Sequence, residues 1–143
     1  MKKLLIIATL TLFTFHLSAQ RIEVHGYLQE TIMGTQKGYS LRMAATNRLK
    51  IGAFYQSTYH LEFENKEGNY SYKGLEAVFP LKSCGNLTFN AVAKVGLVNS
   101  DFLIVTPEIE TTWHLTRHIG VAVGAGVRAR EAAISAKAII KLF

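Results

Sequence analysis

Residues 49–64, LKIGAFYQSTYHLEFE, alternate between apolar and polar side chains with a period of two. Odd positions include Leu49, Ile51 and Leu61, whereas even positions include Lys50 and Glu62. Successive side chains of a β-strand point to opposite faces, so a period of two indicates a strand with one apolar and one polar face. We therefore expect residues 49–64 to form a two-faced strand rather than a helix.

The same alternation recurs along most of the chain. Further predicted strands are 21–33, 39–45, 70–81, 87–98, 102–115, 119–130 and 134–142. Turn-forming residues separate the strands at 34–38, 46–48, 64–69, 82–86, 99–101, 116–118 and near Glu131. Connections this short join antiparallel neighbours, which predicts an all-β, antiparallel, eight-stranded up-and-down barrel. Because Pro107 cannot donate to a β-ladder, we expect a bulge or a strand break there.

The first 19 residues have the organisation of a secretory signal peptide. Lys2 and Lys3 precede the apolar run 4–15, and Ala19 supplies a small residue ahead of Gln20. The apolar run is too short to span a membrane as a helix. We expect a signal-peptide helix over residues 1–19, cleavage after Ala19, and a barrel domain over residues 20–143.

Composition limits the class of protein. The chain has 143 residues, of which 49% are hydrophobic and 18% charged, and it contains 1 Cys. A charged fraction near a quarter is usual for soluble domains, so this chain is unusually apolar for one. The net charge of +6 falls to +4 without Lys2 and Lys3, and this small excess with no basic run argues against a nucleic-acid partner. The lone Cys84 excludes an internal disulfide.

The two faces of the predicted strands differ in a way that favours an apolar outer face toward lipid and a polar inner face. The polar faces combine Gly120, Gly124 and Gly126 with the rings of Tyr27 and Phe54. Small residues beside large ones suit a narrow interior, where one makes room for the other. Charged side chains on these faces are then expected to form a paired network that fills the lumen: Arg42, Lys50, Glu62, Glu76, Lys94, Glu108, Glu110, Arg128 and Lys137.

Aromatic residues on the apolar faces fall toward the strand ends. With the amino terminus on the periplasmic side, one predicted group lies near the periplasmic rim: Phe79, Phe89, Trp113 and Phe143. The other predicted group lies near the outer rim: Tyr39, Tyr59 and Phe63. Two such aromatic girdles are typical of membrane barrels. Two charges, Glu30 and Lys73, lie neither on a polar face nor in a turn.

The signal peptide, the eight alternating strands, the glycine-rich stretch HIGVAVGAGVRAR (118–130) and the terminal Phe143 together resemble small outer-membrane β-barrels of Gram-negative bacteria. The resemblance, to the OmpA and OmpX type, implies an outer-membrane location and a monomer. It also implies contact with outer-membrane lipid and lipopolysaccharide, and recognition of the C-terminal strand by the barrel-assembly machinery. Residues at the predicted rim that could contact lipopolysaccharide are Lys66, Glu67, Tyr70 and Tyr72.

The sequence offers little for catalysis, so we expect a structural, non-enzymatic barrel without cofactors. Glu108 and Glu110 share a face, as do Thr112 and His114, and salt bridging is the simpler role for the carboxylates. An alternative is a soluble periplasmic or secreted barrel that binds a small hydrophobic ligand. A second alternative is a lipid A-modifying outer-membrane enzyme, although Ser57 and His60 fall on opposite faces of one strand. The histidines show no metal-ligand spacing.

Overall fold

The computed structural model describes residues 21–31, 34–58 and 71–142. These residues form eight strands: β1 (Ile22–Thr31), β2 (Gly34–Thr46), β3 (Leu49–Thr58), β4 (Ser71–Cys84), β5 (Leu87–Val98), β6 (Phe102–His114), β7 (Ile119–Arg128) and β8 (Glu131–Lys141). Each strand pairs antiparallel with the next, and β8 pairs with β1 to close the barrel. The predicted eight-stranded up-and-down barrel is confirmed. Within the described residues, no helix is long and apolar enough to cross a membrane.

Burial alternates through the central parts of the strands, as the period of two requires. In β8, Ala133, Ser135 and Lys137 are buried, whereas Ile134 and Ala136 between them are exposed. The exposed positions of the barrel are dominated by large apolar residues, such as Leu75 at 70% and Val123 at 59% exposure. The buried positions are dominated by polar and charged residues, so the polar face of the sheet lines the lumen.

This orientation contradicts the alternative of a soluble barrel with an apolar ligand cavity. That alternative requires leucine, isoleucine and valine to point inward and the charges to point into water. Lys94 is 1% exposed and Arg128 is 8% exposed, both inside the closed barrel. The apolar excess of the sequence is therefore located on the outer wall.

The two ends of the barrel contain different turns and are here called the terminal end and the opposite end. The terminal end contains the start of β1, the end of β8, and the turns 47–48, 85–86 and 115–118. The opposite end contains the turns 99–101 and 129–130. The 129–130 turn links Arg128 to Glu131, and its residues Ala129 and Arg130 have φ of 48° and 73°. Positive φ at both positions is typical of a type I′ hairpin, whose twist matches that of the strands it joins.

The structure corrects the expected irregularity at Pro107. β6 runs without a break through Pro107, which pairs in register with Ala93 of β5. On its other side the β6–β7 pairing begins only at Glu108, so the missing amide hydrogen falls where that ladder ends. The register shifts lie elsewhere, between Ala44 and Thr46 and between Pro80 and Lys82.

Several predicted turns are wrong because the ladders extend through them. Residues 34–38 belong to β2, whose pairing with β1 continues to Gly34. β4 extends to Cys84, which leaves only residues 85–86 in the turn predicted at 82–86, whereas the turn expected near Glu131 is found at residues 129–130. In the first two cases cross-strand pairing outweighs the local preference of glycine or polar residues for turns. The predicted signal peptide (1–19), the 64–69 turn and the end of the predicted third strand lie outside the described residues.

Candidate functional site: the charged lumen

The candidate site is a cluster of six buried charges inside the barrel, here called the lumen cluster: Arg42, Glu76, Lys94, Glu108, Glu110 and Lys137. The sheet register places them at similar heights. Arg42 pairs with Gly52, Gly52 with Glu76, and Glu76 with Lys94. Because Gly52 has no side chain, the guanidinium of Arg42 reaches across β3 to the carboxylate on β4.

Arg42 forms the centre of the lumen cluster. Its Nε and Nη2 donate to the two carboxylate oxygens of Glu76, at 2.8 and 3.1 Å. Its Nη1 and Nη2 donate to the two oxygens of Glu110, at 3.0 and 3.2 Å. The planar fork of arginine suits such two-pronged contacts, which a lysine ammonium cannot reproduce. One buried cation thus binds carboxylates from two strands on different sides of the lumen.

The two lysines complete the charge balance. Lys137 Nζ donates to Glu108 at 2.9 Å and to Glu110 at 2.5 Å. Lys94 Nζ lies 2.9 Å from the second oxygen of Glu108, and Ser135 also donates to Glu108. Three cations therefore face three carboxylates, which offsets the cost of taking each charge out of water.

Aromatic rings pack against the cluster on the side nearer the opposite end. Lys94 Nζ lies 5.1 Å from the ring centroid of Tyr27, a distance within cation–π range. The rings of Phe54 and Tyr72 meet edge to face with centroids 4.7 Å apart. Arg128 lies 4.2 Å from the Tyr72 ring centroid and donates to Gln36. The lumen is thereby filled with side chains.

Glycines create the room that these side chains need. A methyl group added to Gly124 would overlap the carboxylate of Glu108 and the hydroxyl of Ser135. At Gly96 an added methyl would lie 2.8 Å from the ring of Tyr72. The glycines of β7 therefore leave the space that the bulky inner side chains occupy.

The other predicted network members have different roles. Lys50 is only half-buried and pairs at 2.7 Å with Glu23, near the terminal end. Arg128 contacts Gln36 and Tyr72 rather than joining the lumen cluster. Glu62 lies outside the described residues.

Sequence reasoning missed Glu23, Tyr27 and Tyr72 as participants in the lumen interactions. Glu23 binds Lys50, and its second oxygen lies 3.4 Å from His25 Nε2. Tyr72 was expected at the rim but is 1% exposed, and its hydroxyl donates to the Ile104 carbonyl at 3.3 Å. The alternation gives Tyr27 and Glu23 an inward parity, but parity alone does not identify their partners. The other expected rim residues, Lys66, Glu67 and Tyr70, lie outside the described residues.

The residue pairs considered for catalysis have other partners. Thr112 donates to Glu110 at 3.2 Å, while His114 lies 3.1 Å from the Thr88 hydroxyl and 2.7 Å from Lys141 Nζ. Glu108 and Glu110 are bound by the lumen lysines and Arg42. His60, expected on the face of the third strand opposite to Ser57, lies outside the described residues. No group of three or more potential metal ligands is present in the part of the chain that the structure describes.

The outer wall contains part of each predicted aromatic group. Phe79, Phe89 and Trp113 are exposed and lie toward the terminal end, where Trp113 is the penultimate residue of β6. Tyr39 is also exposed; it is the sixth residue of β2, and its ring centroid is 5.6 Å from that of Tyr55. Its place in an outer aromatic girdle stays a prediction. Tyr59, Phe63 and Phe143 lie outside the described residues.

Comparison with solved structures places the barrel among known folds. A de novo designed transmembrane β-barrel matches with a TM-score of 0.72 at 9% identity, covering 85% of this chain and 95% of the designed one. The N-terminal β-barrel domain of Pseudomonas aeruginosa OprF matches with a TM-score of 0.69 at 11% identity, covering 85% and 97%. This chain has the fold of the small eight-stranded transmembrane barrels. The likeness to outer-membrane barrels expected from the sequence is confirmed at the level of the fold.

A second designed barrel, TMB2.3, matches with a TM-score of 0.65 at 11% identity, covering 85% of this chain and 94% of the designed one. No protein-family profile and no curated protein sequence matches the chain. The comparisons therefore establish the fold of the chain and leave its function to the chemistry of its own residues.

Proposed function

We propose that the chain is a small integral outer-membrane barrel with a structural, non-enzymatic role. The observation that supports this most directly is the inverted distribution of polarity. Large apolar side chains cover the outer wall, while six mutually paired charges fill the lumen. Water favours the reverse arrangement, whereas lipid favours this one.

The packing of the lumen supports a structural role over transport. Eight strands enclose space for little more than their own side chains. Here that space is occupied by the lumen cluster and by Tyr27, Phe54 and Tyr72, all of them buried. A barrel filled in this way stabilises a membrane-embedded scaffold and offers no wide aqueous path.

The same arrangement supports the absence of catalysis. Thr88 and His114 form a hydroxyl–histidine contact at 3.1 Å, but the other ring nitrogen of His114 lies 2.7 Å from the ammonium of Lys141, where a catalytic base needs an orienting acceptor. Ser40 and His25 also face each other, across β1 and β2. Among the described residues, neither the Ser40 hydroxyl nor His25 Nδ1 has a hydrogen-bond partner, and both residues are at most 2% exposed. Substrate has no access to such a pair, and the two atoms do not contact each other as a nucleophile and its base must.

The proposal extends to location and partners. Residues 1–19 would direct export and be removed, and the barrel would then insert as a monomer surrounded by outer-membrane lipid and lipopolysaccharide. The barrel-assembly machinery would recognise the last described strand, β8.

Outer-membrane fractionation followed by gel electrophoresis with and without boiling tests the proposal. A folded membrane barrel resists detergent at room temperature, so the unboiled sample should migrate differently from the boiled one. Amino-terminal sequencing of the fractionated protein should begin at Gln20. Recovery of the chain in the soluble periplasm, with no heat-dependent shift, would contradict the proposal.

A further inference from the structure

The outer wall of strands β2–β5 contains an apolar groove, here called the lipid groove. Its volume is about 620 Å³, and the outward-facing side chains that line it include Leu41, Ile51, Ala53, Leu75, Ala77 and Val95. Ala77 pairs with Ile51 on one side and with Ala93 on the other. Short alanine side chains thus form a floor between longer branched ones, a shape that fits a hydrocarbon chain.

Polar side chains lie at the end of the lipid groove nearer the opposite end of the barrel. Along the β3–β4 seam, the Ala53–Leu75 pair is followed by Tyr55 with Lys73, and then by Ser57 with Ser71. Lys73 is exposed on the outer wall and is the third residue of β4. Toward the opposite end, the lining of the groove therefore changes from methyl groups to the phenol of Tyr55 and the ammonium group of Lys73.

A second lysine lies beside the first. Lys37 is exposed on β2 and pairs with Ser57, and Tyr39 packs against Tyr55 at the next outward-facing pair, two residues further along β2. Lysine can pack its methylene stem on apolar surface and extend its ammonium to the headgroup layer. Lys37 and Lys73 on β2 and β4 thus flank the groove mouth on β3.

The described lysines at this mouth are Lys37 and Lys73. Lys73 forms no ion pair within the part of the chain that the structure describes. Two exposed carboxylates of the described residues lie at the same end: Glu30 on β1, which is separated from Lys73 by β2 and β3, and Asp101 in the turn after β5. A cation on the lipid face is costly at the bilayer midplane and nearly free near the headgroups, so Lys73 belongs at the headgroup level.

A neighbouring groove provides a contrast. It has a volume of about 470 Å³ and is lined by residues that include Ala91, Pro107, Ala125 and Val127. The outward positions beyond it on β6 are Leu103 and Val105, both exposed and apolar. Of these two grooves, the lipid groove is the one with lysines at its mouth.

We propose that the lipid groove binds one anionic, phosphate-bearing lipid of the leaflet at the opposite end. One acyl chain lies over Ala53 and Ala77, and the phosphate contacts the ammonium of Lys73 with Lys37 beside it. Tyr55 lies between them at the boundary of chain and headgroup, where tyrosine is favoured. This inference rests on the proposed membrane location and adds a specific lipid site to it.

Native mass spectrometry of the purified barrel in detergent tests the site, with lipid A as the anionic probe and phosphatidylcholine as the zwitterionic one. Lys73→Gln removes the phosphate contact, and Ala77→Phe fills the floor of the groove. Lys82→Gln, at the exposed end of β4 near the terminal end, and Ala125→Phe, in the second groove, are the matched controls. Unboiled gel mobility checks that every variant is folded.

We expect lipid A affinity to fall about tenfold or more in Lys73→Gln, because a hydrogen bond to a charged group is lost. Ala77→Phe should lower it similarly, and both controls should stay within about twofold of wild type. Equal affinity of wild type and Lys73→Gln, or equal binding of phosphatidylcholine and lipid A, would overturn the site while leaving the membrane location intact. A chain that does not insert into bilayers would overturn both.

Discussion

Arg42 shows how one residue determines the interior of this barrel. Its guanidinium is 1% exposed and makes four hydrogen bonds to Glu76 and Glu110, carboxylates of strands β4 and β6. An isolated charge in such a place is prohibitively costly, whereas a fully paired one is tolerated. Arg42 therefore stabilises the lumen only together with Glu76 and Glu110, and its removal would leave both carboxylates without their shared cation.

Replacing Arg42 with methionine keeps most of the side-chain volume but leaves Glu76 and Glu110 without their shared cation. We expect the free energy of unfolding to fall by about 3–5 kcal/mol, the usual cost of breaking a buried ion pair. Lysine at position 42 should restore only part of this loss, since an ammonium cannot bind both carboxylates with two prongs each. Urea titration of the barrel in detergent micelles, followed by tryptophan fluorescence, measures the change.

Arg48→Met is the matched control, because Arg48 is exposed in the β2–β3 turn. Its unfolding free energy should lie within about 0.5 kcal/mol of wild type. If Arg42→Met were as stable as wild type, the lumen cluster would not contribute to stability in the way its geometry implies.

At the scale of single strands, alternation was sufficient to predict both the strands and their faces. The sequence predicts Gly120 and Gly124 on the inner face of β7, and both are buried in the lumen. The shifts at Ala44–Thr46 and Pro80–Lys82 were not predictable, because a bulge depends on how two strands meet rather than on one strand's pattern. For the same reason, Pro107 wrongly indicated an irregularity in β6, since its effect depends on where the neighbouring ladder ends.

The candidate site was only partly predictable for a related reason. Parity places Arg42, Glu76 and Lys137 inside the barrel, but their contacts depend on the register of strands that are distant in sequence. Arg42 reaches Glu76 because Gly52 lies between them, which no local pattern reveals. Sequence can therefore predict which side chains face the lumen, while the barrel register decides which of them meet.

β7 offers a test of lipid exposure along a single strand. Val123, in its middle, is 59% exposed, and Ile119, its first residue, is 51% exposed. An arginine on the lipid face costs about 2–4 kcal/mol at the midplane and about 0–1 kcal/mol near the interface. Val123→Arg should therefore lower the unfolding free energy in lipid vesicles by about 2–4 kcal/mol, and Ile119→Arg by at most about 1 kcal/mol.

Guanidinium titrations in vesicles report both values, with Val123→Ala separating loss of the valine from burial of the charge. Equal and small effects at the two positions would mean that water, not lipid, contacts the middle of β7. That result would contradict the membrane assignment even though the barrel itself remained folded.

For the whole molecule, closure and filling are the decisive properties. The ladder from β8 back to β1 gives every described strand two paired neighbours, and such closure suits a lipid environment because lipid offers no hydrogen-bond partners to an open sheet edge. The inner wall then consists largely of polar residues, and the six charges of the lumen cluster pair with one another. The charges that lipid would exclude from the outer wall are therefore packed inside the lumen, where they fill the interior.

This filling predicts that the barrel does not conduct. Wild-type protein reconstituted in planar bilayers should show no current steps above the bare bilayer, because paired side chains of β2, β4, β6 and β8 obstruct the lumen. Substituting alanine for Arg42, Glu76, Glu110 and Lys137 removes two charges of each sign and leaves a water-sized path. That variant should show measurable steps if it is folded by unboiled gel mobility. Stable open channels in the wild-type protein would contradict a closed lumen, and would mean that the lumen cluster opens in the membrane.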